Sequence, residues 1–312
     1  MNLTVASSPH IRGDFKTSRL MLDVVAALLP ALAVGTWVLG LRALAVTAVS
    51  MVSAVGAEWL YSKISRTRNT LRDCSAMVTG MLLALTLPAS VPYGIVVLGS
   101  VFAILVTKCM CGGLGQNILN PALAARAFLM LLFPAALTHY EAVDGISTAT
   151  PLHQMVMPAL PGNSLMDMFL GRIPGSIGEL SALALLIGGV FLVVRKVISP
   201  KIPLAYLGSV AILTLVFHKA GDPIAWMLYS ILGGGVMLGA IFMATDYATS
   251  PVTPMGQILY GIGCGVLTVF FRYNGLFPEG VTYAILLMNL LTWGIDRITA
   301  PRRFGVKKGE QV

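Results

Sequence analysis

One stretch of the chain concentrates residue types that could carry chemistry. Asp144-Gly145 favours a tight turn, and Ser147, Thr148 and Thr150 then place three hydroxyls within four positions, just before Pro151. The proline restricts Thr150 to an extended conformation. A hydroxyl displayed in that way is an accessible acceptor for a transferred phosphoryl group, and the product is a phosphoester. On the residues alone a plain Ser/Thr-rich turn accounts for the run and is the preferred reading. Elsewhere the signals are thinner. Cys109 and Cys111 form a single C-x-C without a second ligand pair, and all four cysteines read as small apolar residues rather than metal ligands. Gly112-Gly113-Leu114-Gly115 has neither the preceding strand nor the lysine of a phosphate-binding loop, and reads as a close-packed re-entry into a following helix. His10, His139, His153 and His218 are isolated and read as core or surface residues.

The elements that must position these residues are set by composition. Of 312 residues, 56% are hydrophobic and only 11% charged, against about 25% charged in a soluble protein. Mean hydropathy is +0.83. Too few charges remain to clothe a globular surface, so the chain reads as an all-α, polytopic membrane protein. That excludes a disordered chain, a secreted disulfide scaffold and a nucleic-acid-binding domain, despite the net charge of +8. Apolar runs at 20–41, 43–60, 74–89, 94–108, 119–137, 179–198, 203–218, 224–244, 256–272 and 280–296 predict about ten transmembrane helices. Several are short or interrupted by Pro and Gly, which points to broken or tilted spans. No secretory signal peptide is visible, and the first span serves for targeting. With the N-terminus inside, sixteen Lys and Arg fall on inner segments and four on outer ones, while Arg126 lies within a span. That bias places both termini in the cytoplasm and the long connection 138–178 outside.

The chain also repeats. Gly80, Thr86 and Pro92 match Gly239, Thr245 and Pro251, 159 residues on, and Pro121, Ala127 and Leu129 match Pro278, Ala284 and Leu286, 157 residues on. A repeat of five spans inserts its second copy upside down, the architecture of many transporters. The expected organisation is therefore a cytoplasmic tail (1–19), a first five-helix repeat (20–137), the outer loop (138–178), a second five-helix repeat (179–296) and a basic cytoplasmic tail (297–312). Small-residue pairs at Gly235/Gly239 and Gly261/Gly265 are expected to let helices approach. Among ionisable groups in the spans, Asp23 and Glu58 read as solvated carboxylates near cytoplasmic ends. Arg126 must find a carboxylate or carbonyls, and Asp246 reads as capping an interrupted helix. Residues 152–173, with Leu152, Met155, Met168 and Phe169, read as an apolar stretch along the outer face, either walling a ligand from water or lying as an interfacial helix.

The run Asp144-Gly145-Ile146-Ser147-Thr148-Ala149-Thr150 resembles the flavinylation motif of a family of membrane flavoproteins. Its members are the D subunit of the Rnf complex (ion-translocating ferredoxin:NAD oxidoreductase) and the B subunit of the sodium-pumping NADH:quinone oxidoreductase. Further blocks share the resemblance: Ser8-Pro9-His10-Ile11-Arg12 with Leu22-Asp23-Val24, Gly112 to Asn117 with Asn120-Pro121-Ala122, Met243-Ala244-Thr245-Asp246, and Pro278-Glu279-Gly280 with Tyr283-Ala284. They span nearly the whole chain, and the short N-terminal tail is more similar to the Rnf subunit. The resemblance implies FMN held covalently through a phosphoester on Thr150, with Asp144, Gly145 and Ser147 supporting the motif. It also implies a second, non-covalent riboflavin at an unassigned site. The function implied is electron relay within an ion-translocating Rnf complex of a prokaryotic cytoplasmic membrane, with Na⁺ or H⁺ moved by the complex. The partners implied are a second covalent-flavin subunit, iron–sulfur subunits, an NAD-binding subunit and, for maturation, a flavin transferase. The cysteines carry no cluster, the chain alone holds no complete active site, and membrane lipids are its other partner. Two other classes are weighed beside it: an inverted-repeat channel or permease without a redox cofactor, which Asn120-Pro121-Ala122 would suit, and a structural membrane anchor.

Overall fold

In a computed structural model, the described residues are 17–66, 71–140, 155, 161–274 and 280–301, and they form helices joined by turns without a strand. The first half begins with two long helices, α1 (Thr17–Leu39) and α2 (Leu41–Ile64). A short α3 (Ser75–Leu85) follows, then α4 (Tyr93–Phe102), which continues as a π-helical segment over Ala103–Cys109. Next come α5 (Pro121–Leu132) and a single turn, α6 (Pro134–Thr138). After the outer connection lie α7 (Leu165–Leu170), α8 (Ala182–Val194) and α9 (Lys201–Val216). The chain ends with α10 (Pro223–Leu232), α11 (Val236–Leu238) running into a π-helical segment at Gly239–Met243, α12 (Pro254–Asn274) and α13 (Val281–Thr299).

Among the described residues α1, α2 and α12 are long and apolar enough to cross a membrane singly, and α10 with α11 makes a fourth candidate bent by 62°. Five further apolar helices of 10–17 residues are shorter than a straight span needs, in line with the broken or tilted spans that their Pro and Gly residues predict. Their ends show why. Helix α3 stops at Thr86, whose hydroxyl turns back to the Leu83 carbonyl at 2.7 Å, and Pro88 and Pro92 prevent its continuation. Helix α5 starts at Asn120, whose Oδ1 accepts from the Ala122 and Leu123 amides at 3.0 and 3.3 Å, with Pro121 at the first helical position. Helix α10 ends in Gly233-Gly234-Gly235, where Gly234 and Gly235 have φ of 67° and 69°, values glycine adopts without a side-chain clash. This sharp bend sits where the hydropathy predicts one span, 224–244.

The helices pack mainly with neighbours in their own half: α2 on α3 and α4, and α9 on α10 and α12. Among the described residues the halves meet where α1 packs on α8 and α5 on α13. Close approach at Gly261 and Gly265 is as the sequence predicts. A Cβ on Gly261 would lie 2.8 Å from Ala205 Cβ, and one on Gly265 would strike the Ser209 hydroxyl. The pair Gly235/Gly239 is different: Gly235 belongs to the bend and faces Glu179, so the two glycines are not a single helix-packing motif. Many large apolar side chains point outward, Trp37 at 90% exposure among them, as expected where lipid is the solvent. Trp59 lies beneath Lys63 and Trp293 beneath Arg297, at 5.0 and 5.4 Å, pairs suited to a membrane–water boundary.

Candidate functional site

Asp144, Gly145, Ser147 and Thr150 lie outside the described residues, as does His153. The residues that flank them are described and firmly held. Tyr140 is buried beside Arg126, and burial raises its phenol well above the usual range, with the Arg126 charge opposing that rise. Met155 is buried with Met168, Ile173, Leu180, Trp226 and Tyr229 in a small cluster. Within 161–173 only Leu165–Leu170 is helical, capped by Ser164. Further on, the Ile177 and Gly178 amides donate to the Leu87 and Leu85 carbonyls at 3.1 and 2.7 Å. The end of the connection between α6 and α8 thus satisfies carbonyls left open where α3 stops.

Charges gather at the two helix breaks. Arg126 on α5 meets Glu179 at 3.7 Å, both side chains 7% exposed, so the intramembrane arginine finds the carboxylate it requires. Arg272 on α12 donates to the Ser230, Gly233 and Gly234 carbonyls at 2.5, 2.9 and 3.2 Å. These acceptors are open because the triple-glycine bend interrupts the helical ladder. The sequence counts Arg272 among the outer positive residues and gives it no partner. Its function as a clamp arises only when α12 is packed against α10.

A second polar centre lies at the other end of the bundle, beside the start of α1 and the N-terminus of α5. A cavity there has a volume of about 80 Å³. Apolar walls come from Leu20, Met21, Leu82 and Phe242, and a polar edge from Ser75, Lys108, Asn117, Asn120 and Asp246. Asn120 is fixed from two sides, because its Nδ2 donates to the Met243 carbonyl at 3.1 Å while its Oδ1 caps α5. The Asn117 Oδ1 is buried with no hydrogen-bond partner among the described residues, an acceptor aimed at something the protein does not itself supply. Asp246 accepts from the Ala248 amide and the Thr249 hydroxyl. It therefore caps the turn after the π segment, not the interrupted helix itself. Burial raises its carboxyl from the ordinary range, against these hydrogen bonds.

Two expectations change here. Glu58 is not a solvated carboxylate: it is 2% exposed and meets Lys108 Nζ at 2.7 Å, with Lys108 also donating to Ser75 Oγ at 2.7 Å. A lysine fifty residues away, carried on the π segment, supplies the charge that burial demands. The Gly112–Gly115 segment is a turn, not a close-packed re-entry: Gly112, Gly113 and Gly115 have φ of 111°, 98° and 87°, and nothing approaches Gly113 or Gly115. Asp23 is ion-paired with Arg195 at 3.1 Å, joining α1 to the end of α8. Among the described residues no group of His, Cys, Asp and Glu is arranged to hold a metal, and all four cysteines are free.

Residues 4–305 match the model of the NQR2, RnfD, RnfE family. The chain belongs to that family. Its relatives include the D subunit of the Na(+)-translocating ferredoxin:NAD(+) oxidoreductase complex of Acetobacterium woodii, 50% identical over 99% of this chain and 97% of the relative. The D subunit of the proton-translocating ferredoxin:NAD(+) oxidoreductase complex of Clostridium ljungdahlii is 40% identical over 98% and 97%. The D subunit of the ion-translocating oxidoreductase complex of Escherichia fergusonii is 35% identical over 99% and 100%. The first two are named for different ions, so membership of the NQR2, RnfD, RnfE family does not fix which cation is moved. The resemblance read from the motifs and the family match agree over nearly the whole chain.

Proposed function

We propose that this chain is the membrane flavoprotein subunit of an ion-translocating ferredoxin:NAD oxidoreductase complex, with FMN covalently bound through a phosphoester on Thr150. The observation that carries the reading is the family match over 4–305 together with the hydroxyl run that ends in Thr150. The bound flavin would accept and pass on electrons, and the protein would set its position and potential. Asp144, Gly145 and Ser147 support the motif that a flavin transferase must recognise. In support, the chain on either side of the motif is anchored, by Tyr140 beside Arg126 and by Ile177 and Gly178 on the end of α3.

The ten spans form two inverted halves, with both termini in the cytoplasm and the flavin loop outside. The cross-half contacts of α1 with α8 and α5 with α13 support that arrangement, as does the repeat spacing. Electrons pass to and from a second covalent-flavin subunit, iron–sulfur subunits and an NAD-binding subunit, and the complex couples this to Na⁺ or H⁺ movement across a prokaryotic cytoplasmic membrane.

We propose the cavity beside Asn117 as the site of the second, non-covalent riboflavin. Its chemistry fits an isoalloxazine: apolar walls for the ring faces, and a polar edge whose buried Asn117 acceptor awaits an N–H donor. Asn117, Lys108, Ser75 and Asp246 would hold the ring's polar edge, and the flavin would supply a further redox step.

The decisive experiment expresses the chain with a flavin transferase and reads flavin fluorescence on a denaturing gel, with and without Thr150→Ala. Fluorescence that survives denaturation and vanishes in the variant supports the assignment. A non-fluorescent wild-type band, with the transferase active on another target, overturns it.

A further inference from the structure

We propose that the Lys108–Glu58 ion pair polarises the cavity beside Asn117, so that a redox ring bound there is favoured in its reduced, more negative state. The inference rests on the reading of that cavity as the non-covalent riboflavin site. Lys108 and Ser75 line the cavity, whereas Glu58 is not part of its lining. The ammonium therefore stands between the cavity and the carboxylate, 2.7 Å from Glu58 Oε1 and 2.7 Å from Ser75 Oγ. An ammonium has three N–H donors, and these two bonds leave one. Lys108 is 3% and Glu58 2% exposed, so water screens the pair little.

The orientation of the pair gives it a sign. Oxidised isoalloxazine that takes up two electrons and one proton carries one additional negative charge. In the titration below dithionite supplies the electrons and water the proton. That charge meets the positive end of the pair first. At an effective dielectric of about 20, a charge in contact with the ammonium and about 3 Å farther from the carboxylate favours the reduced state roughly tenfold. For a two-electron couple this is about 30 mV. Asp246, the other charged group lining the cavity, is common to every variant and does not alter the comparison.

The test uses the assembled complex containing the full chain. Non-covalent flavin is extracted and quantified, and its midpoint is titrated optically in wild type, Glu58→Gln, Lys108→Met/Glu58→Gln and Lys108→Arg. Glu58→Gln removes the far negative charge and should shift the equilibrium toward the reduced ring by more than tenfold. The double variant removes the dipole and should shift it about tenfold the other way. Lys108→Arg keeps the charge pair and should give a midpoint between those of Glu58→Gln and the double variant. Opposite shifts of this kind do not follow from a purely structural role. Loss of riboflavin from the double variant, with retention in Lys108→Arg, also supports the proposal. Equal midpoints, shifts of the same sign, or loss of flavin from all three variants overturn it. A wild-type complex without non-covalent flavin overturns the cavity reading and the inference together, and leaves the Thr150 fluorescence result standing on its own.

Discussion

Arg272 offers the sharpest test of how the broken helix is held. Replacing it with Met removes hydrogen bonds to the Ser230, Gly233 and Gly234 carbonyls. Hydrogen bonds from a charged donor are each worth about 1.5–3 kcal/mol. The sum is not fully lost, because water reaches some of the freed carbonyls and the buried charge, with its desolvation cost, disappears too. A net loss of about 4 kcal/mol is expected, which at about 1.5 °C per kcal/mol for a chain this long lowers the unfolding midpoint by about 6 °C. Lysine keeps the charge but not the planar fork that reaches carbonyls at three residues, so Arg272→Lys should fall between. The assay is thermal unfolding in detergent, read by a dye that reacts with thiols as they become exposed. Cys264 lies fully buried on the same helix. Lys219→Met is the control: an exposed cation 4.5 Å over Tyr273, it should move the midpoint little. Midpoints for Arg272→Met and Arg272→Lys both within about 2 °C of wild type, about a third of the expected shift, would refute the clamp.

Three more expectations follow from the same geometry. Glu179→Gln deprives buried Arg126 of its carboxylate and should cost about 3–5 kcal/mol, whereas Arg126→Met/Glu179→Leu should recover much of that loss in the same thermal assay. Gly188→Ala pushes a methyl into the Ala27 carbonyl, in the α1–α8 contact between halves. Overpacking there should cost about 1–3 kcal/mol, while Gly208→Ala, with nothing within 4 Å, should be neutral or stabilising when both are unfolded side by side. Asp246 has its carboxyl raised by burial, so the folded state binds a proton more tightly than the unfolded one. Its contribution favours folding at low pH and is lost as pH rises from the unfolded value through the folded one. Asp246→Asn should flatten that part of the stability–pH profile, and an unchanged slope would show that the carboxyl is not the group responsible.

Much of this protein is local, and local features were legible in the chain. The excess of apolar residues demanded lipid, because no fold can hide 56% hydrophobic residues behind 11% charged ones. Asn120 before Pro121 and Asp222 before Pro223 cap helix starts, and Gly233-Gly234-Gly235 and Pro88 lie where helices stop; caps and breakers act within one turn of themselves, but hydropathy by itself runs single spans through 74–89 and 224–244. The family blocks, being contiguous, were equally visible. Tertiary structure alone decided the rest. Glu58 finds Lys108 fifty positions away, Arg126 finds Glu179 beyond the outer connection, and Arg272 finds carbonyls about forty positions back. No periodicity encodes such pairs. A buried charge states only that some partner must exist, and which one it meets depends on how the helices cross. The cavity beside Asn117 has the same origin: its walls come from both halves of the chain, and it exists only where two half-length helices leave space between them.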